Sequence, residues 1–174
     1  MWKHATKYAE EIKQTLNDEC MFNEKYKYVQ NMAGISSFKL DAEEDCNINM
    51  VWADDETKEI TGLISMYRCD ATKSLYINLL IGFGNDVQNY VFCREVKKLV
   101  LKMFDQPNIK RIEWGACEDN PVTRLYDKFF NSFSNNPKYE CYKHTFHKSM
   151  MTWDGIIRNS LDYEIIEKEG YEND

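Results

Sequence analysis

The side chains able to do chemistry are few and scattered: a phenol at Tyr126, carboxylates at Glu113 and Glu118, and a thiol with two imidazoles at Cys141, His144 and His147. A phenol can give a proton and a carboxylate can take one, provided that both border one cleft. Tyr126 lies in the stretch Asn120 to Phe130, where Asp119 or Asn120 can cap a helix and Pro121 suits its first turn. Val122, Leu125, Tyr126 and Phe129 then fall on one stripe at helical spacing, so periodicity by itself makes Tyr126 a core aromatic. Glu113 sits in a strand-like run, Ile109 to Cys117, with Ile112, Trp114 and Ala116 on one face and Glu113 on the other, toward solvent. On a strand Cys141 and His147 point away from His144, which disfavours a metal site.

The elements that must position these groups can be read from one end to the other. Ala5, Tyr8, Ala9, Ile12 and Leu16 repeat at helical spacing behind a capping Thr6, so one or two amphipathic helices fill residues 6 to about 30. Residues 31–47 read as a loop with the acidic cluster Asp41, Glu43, Glu44 and Asp45. A hairpin follows, with Ile48, Met50 and Trp52 at period two, a polar turn from Asp54 to Lys58, and an apolar run from Ile60 to Tyr67. A third strand covers Leu75 to Ile81. Beyond Gly82 to Asp86, a helix places Val87, Val91, Val96, Leu99, Val100 and Met103 on one face and ends before Pro107. After the strand and helix around residue 120, Tyr139 to Met151 and Ile156 to Ile166 form a ribbon turned at Asp154-Gly155.

Asn120, Leu125, Tyr126, Lys128 and Phe129 resemble the last strand-turn-helix of the GNAT acetyltransferase superfamily. The order of elements is similar to that fold from end to end. Lys3-His4-Ala5-Thr6 resembles its short first strand and helix start, and Asp154 to Ile165 its closing strand. The resemblance implies a single domain over residues 1–174, α/β of the α+β type. Its mixed, mostly antiparallel sheet would have about six strands flanked by three or four helices.

The resemblance also implies direct transfer of an acetyl group from acetyl-CoA, as cosubstrate, to an amine, without a metal. The strands at 75–81 and 109–117 would splay, and backbone groups of Leu79, Leu80 and Ile81 would face the thioester and stabilise its oxyanion. Tyr126 would be the proton donor to the leaving thiolate and Glu113 a base, with Glu118 and Asn78 behind it. Asn120 would border the cofactor. Aligned by the helix, the pyrophosphate loop falls on Gln88, Val91 and Cys93, where the family carries Arg or Gln and then small residues. Valine resists the positive φ that glycine takes freely, so the loop departs from the pattern. A shifted loop at Gly82 to Asn85 would meet Asp86 as cap, and an ordinary strand-to-helix turn is the favoured reading there. A decayed GNAT-fold binding or regulatory protein is the alternative to the enzyme.

Bulk properties bound these expectations. With 174 residues, 43% hydrophobic and 29% charged, the chain is of globular composition, and its six cysteines lack a C-x-x-C pair and read as free thiols. The first residues lack an apolar signal core, which points to the cytoplasm, and no run suits a membrane span. A net charge of -7 disfavours nucleic acid, despite Lys97, Lys98 and Lys102, and favours a cationic amine. Whether the chain pairs as a homodimer is left open.

Overall fold

The computed structural model describes residues 1–15, 46–54, 57, 59–152 and 155–169. Seven strands, β1 (Trp2–His4), β2 (Asn47–Ala53), β3 (Ile60–Cys69), β4 (Ser74–Gly82), β5 (Arg111–Cys117), β6 (Tyr139–Met151) and β7 (Ile157–Glu167), form one sheet in the order β1-β2-β3-β4-β5-β7-β6. Only β4 and β5 are parallel; every other neighbouring pair is antiparallel. The helices are a 3-10 turn (Ala5–Tyr8), α1 (Ala9–Thr15), α2 (Asp86–Phe104) and α3 (Thr123–Ser134). Period-two alternation divides the sheet into two faces. Ile64, Met66, Leu75, Ile112, Trp114, Tyr163 and Ile165 pack against α2 and α3, while Val51, Leu63 and Ile81 pack against Ala5 and Ile12 of the N-terminal turn and helix.

The expected strands and their order are present, the short first strand at Lys3-His4 among them, and the sheet has seven strands where about six were expected. Three local expectations are corrected. Thr6 does not cap a helix: β1 runs straight into the 3-10 turn behind His4, which makes no side-chain cap bond, because Ala5 must turn inward to be buried. Val87 is exposed, since α2 buries Phe92, Val96, Leu99, Val100 and Met103, a stripe that leaves the first turn outside the core. Leu125 is exposed as well. Tyr126, Phe129, Phe130 and Phe133 take the inner face of α3, and the bulk of these four rings rotates the neighbouring leucine outward.

The acidic cluster from Asp41 to Asp45, the second part of the N-terminal helical region, and Asp55, Glu56 and Asp154 lie outside the described residues. Gly155 has φ +75°, the left-handed conformation that the expected turn asks of it. No helix among the described residues is long and apolar enough to cross a membrane.

One contact ties α2 to the sheet. A β-carbon at Gly62 of β3 would come within 2.4 Å of the Phe92 ring, so that ring rests on bare backbone, with Trp2 beside it at 5.8 Å between centroids. Gly62→Ala is therefore expected to lower stability by about 1–3 kcal/mol, the scale of overpacking in a core. Denaturant unfolding checks it, and Phe92→Leu should recover part of the loss. An unchanged midpoint for Gly62→Ala would contradict this packing.

Candidate functional site

The sheet opens between β4 and β5. These strands pair from Ser74/Arg111 to Ile77/Trp114 and no further, although β4 continues to Gly82 and β5 to Cys117. The cause is visible on the other edge of β4, where Met66 pairs with Ile77 and Ser65 with Leu79, so that Asn78 is an extra residue. Such a bulge bends its strand and increases the local twist.

The pairing also fixes which backbone groups face the opening. Phe83 N–H donates to Thr61 O and Arg68 N–H to Cys46 O. By antiparallel alternation Leu63/Ile81 and Ser65/Leu79 are then the pairs that exchange hydrogen bonds, and Leu80 directs its N–H and C=O toward the departed β5. Of the three residues expected to face a thioester, the ladder thus directs Leu80 into the cleft and turns the backbone groups of Leu79 and Ile81 toward β3. Trp114, opposite Ile77 at the apex, keeps a buried indole N–H with no hydrogen-bond partner among the described residues.

At the end of β4 the chain enters α2 through a reciprocal cap. Asn85 Oδ1 accepts from the N–H groups of Val87 and Gln88, both at 3.0 Å, and Gln88 Oε1 accepts from Asn85 N–H at 2.9 Å. Asn89 N–H is already bonded to Asn85 O at 2.8 Å. The cap is therefore Asn85 and not Asp86, and the turn is an ordinary strand-to-helix turn. Gln88, Val91 and Cys93 all lie inside α2, so the register that aligned them with a phosphate loop places them on a regular helix. Val91 escapes the strain expected of it, since Lys73 and Lys148 are the non-glycine residues with positive φ among those described.

Tyr126 stands beneath the apex. Its ring meets Trp114 edge-on at 6.3 Å and Tyr163 edge-on at 6.0 Å, and Trp114 and Tyr163 are stacked at 5.2 Å. Burial pushes the Tyr126 phenol well above its ordinary pKa, with the Cys93 thiol adding to the shift, so the hydroxyl keeps its proton at neutral pH. Burial raises the Cys93 thiol as well. Asp127, the next residue, accepts from Lys143 at 2.6 Å and from the Tyr163 hydroxyl at 3.0 Å, which ties α3 to β6 and β7. Asn120 closes the turn before α3: its Oδ1 accepts from Val122 N–H at 3.0 Å and its carbonyl from Thr123 Oγ1 at 2.7 Å. That carbonyl and amide oxygen are committed to the fold.

The opposite face of the sheet carries the carboxylates. Glu113 pairs with Tyr76 on one side and Glu164 on the other, which places all three on the face away from Trp114. Arg111 bridges Glu113 at 2.7 Å and Glu164 at 2.5 Å. Burial pushes the Glu113 carboxyl above its usual range, with Arg111 pulling the other way. Two overlapping depressions of about 430 and 410 Å³ run along this face. Ile77, Asn78, Gly115, Phe146 and Asp162 line both, with Glu113 at one end, so this glutamate borders a cleft instead of plain solvent.

Asp162 escapes any sequence reading. It lies across from Gly115, where a β-carbon would sit 3.0 Å from its Oδ1, and it accepts from the Ser160 hydroxyl. Its place beside the parting of β4 and β5 follows only from the β5/β7 register. Glu118, by contrast, accepts from Asn159 Nδ2 at 2.7 Å and braces the turn after β5. No group of three His, Cys, Asp or Glu among the described residues is placed to hold a metal.

Neither a family profile nor a curated protein sequence matches the chain. Solved structures do. Spermidine N-acetyltransferase from Vibrio cholerae, in complex with CoA and spermine, superposes with a TM-score of 0.65 at 12% identity over 96% of this chain and 95% of its own. The microcin C7 self-immunity acetyltransferase, in complex with acetyl-CoA and AMP, gives 0.64 at 18% identity over 93% and 88%. A probable GNAT-family acetyltransferase from Chromobacterium violaceum gives 0.67 at 11% identity over 95% and 81%. The chain has the fold of the GNAT acetyltransferases.

Proposed function

We propose that this protein transfers an acetyl group from acetyl-CoA directly to a primary amine, in the opening between β4 and β5. The parting of these strands at the Asn78 bulge, directly above Tyr126, carries the reading. A pantetheine arm has the shape and the amides to lie along an open strand edge, as an added strand would. The Leu80 edge and the orphaned Trp114 N–H suit that arm. The diphosphate end finds no such fit, because the cap occupies the first-turn N–H groups of Val87 and Gln88.

In this reading the amine approaches over Gly115, from the face that bears Asp162 and Glu113. Asp162, with no cationic partner among the described residues, holds the ammonium; Glu113, raised by burial, takes its proton. The neutral nitrogen attacks the acetyl carbonyl carbon while the Leu80 N–H steadies the developing oxyanion. The C–S bond then breaks, the thiolate takes the Tyr126 hydroxyl proton, and the second proton shed by the acylated nitrogen returns to the Tyr126 oxygen, so that the phenol ends as it began. The net change is acetyl for hydrogen on nitrogen and hydrogen for acetyl on sulfur. The acidic wall, and the spermine bound by one protein of similar fold, support a cationic acceptor.

A second reading, a binding protein of this fold without turnover, is favoured by one observation, the self-capped start of α2.

Three substitutions test the roles, with spermine as the probe amine and thiol release as the readout. Tyr126→Phe should lower kcat about a hundredfold while leaving cofactor affinity and folding intact, the scale of a lost general acid. Unchanged turnover would make Tyr126 a core aromatic only. Asp162→Asn should raise KM for spermine about tenfold or more with a small effect on kcat. Glu113→Gln should instead lower kcat and flatten the acid limb of the pH profile. Equal effects on both constants in the last two variants would contradict the division of labour. Binding of acetyl-CoA with no transfer to spermine or to other amines would favour the second reading.

A further inference from the structure

In the first turn of α2 two of the N–H groups that a phosphate would need are taken up by the helix's own cap. Resting on the acetyl-transfer reading above, we infer that the protein recognises its donor through the pantetheine arm and thioester alone, so that short acyl-pantetheine thioesters serve as donors nearly as well as acetyl-CoA.

Four observations converge on this region. First, of the three N–H groups that begin α2, those of Val87 and Gln88 already donate to Asn85 Oδ1, so an incoming anion would meet a carbonyl oxygen in place of two donors. Second, the side chain of Asp86 adds a negative charge to the first turn, where the helix dipole would otherwise attract a phosphate. Third, the two glycines that could have opened the turn are closed by the helix itself. A β-carbon at Gly82 would lie 2.3 Å from Asn89 Oδ1, and one at Gly84 would lie 2.5 Å from Gln88 Cβ. Fourth, neither glycine takes a positive φ, so their backbone does not form the concave nest of successive N–H groups that holds phosphates.

The other half of the donor site is intact. The Leu80 edge and the bulge at Asn78 border the parting of β4 and β5, Trp114 with its unpartnered indole N–H stands at its apex, and none of them depends on the start of α2. Recognition that stops at the arm has a chemical consequence. The donor class widens from coenzyme A thioesters to any thioester on a pantetheine-like amide chain. The transfer is otherwise the same: the acetyl–sulfur bond breaks, the acetyl–nitrogen bond forms, and Tyr126 gives its proton to the pantetheine sulfur and regains one from the nitrogen.

Calorimetry on the full chain with coenzyme A and with pantetheine is the direct test. Their dissociation constants should agree within about tenfold, whereas a diphosphate held by two or three charge-assisted hydrogen bonds would separate them by more than about a hundredfold. The double variant Asn85→Gly with Asp86→Asn frees the Val87 and Gln88 N–H groups and removes the carboxylate at little cost to the helix. It should tighten coenzyme A several-fold and leave pantetheine unchanged. Coenzyme A bound more than a hundredfold tighter than pantetheine by the unaltered chain would overturn this inference and leave the acetyl-transfer reading standing. Failure of both to bind at millimolar concentration would overturn the two together.

Discussion

A single unpaired residue shapes the opening in this sheet. Asn78 has no partner across β3, and the bulge it forms turns the far half of β4 away from β5. An open edge of this kind exposes backbone groups that a protein ordinarily pairs or covers. Everything at the candidate site is arranged around that edge: Leu80 faces into it, Trp114 marks its apex, Tyr126 lies beneath, and Gly115 with Asp162 borders it on the other sheet face.

The opening persists because the sheet is held firmly on either side of it. On the helical side, the rings of Trp114, Tyr126, Phe129, Phe130, Phe133 and Tyr163 form one continuous aromatic cluster that joins β5, β7 and α3. The geometry of edge-on and stacked pairs adds specificity to the area they bury. Asp127 fastens the same helix to β6 through Lys143 and to β7 through Tyr163. At the closed end of the sheet, Glu167 bridges Lys110 and Lys138, which locks β7 to the segment before β5 and the start of β6. Burial opposes the charge on Glu167, but its two lysines outweigh that and hold its carboxyl below the usual range. The stability it contributes is thus complete above the ordinary carboxylate pKa and is lost as pH falls through the depressed value.

Much of this was legible in the sequence, for identifiable reasons. Strand alternation and turn residues disclosed β2 to β7, and the Asp154-Gly155 pair marked the last hairpin. What required the structure was register. Asn78 is polar on a strand whether or not it is a bulge, and only its missing partner on β3 reveals it. Asp162 acquires meaning from lying opposite Gly115, forty-seven positions away in the chain, a pairing that no local pattern encodes. The start of α2 was legible in principle: Asn85 and Gln88 have the spacing of a capping box, a stronger signal than the isolated Asp86. Helical periodicity alone puts Leu125 and Val87 inward, since it does not say which of two adjacent stripes the bulkier rings will claim.

In the proposed function the donor is received along the edge of β4 and not at the start of α2. Amide resonances of the isotope-labelled chain, followed with and without acetyl-CoA, test it most directly. The account predicts that the Leu80 N–H shifts and gains protection from exchange while those of Val87 and Gln88, already bonded to Asn85, stay as they are. Large changes at Val87 and Gln88 with an unaffected Leu80 would contradict it.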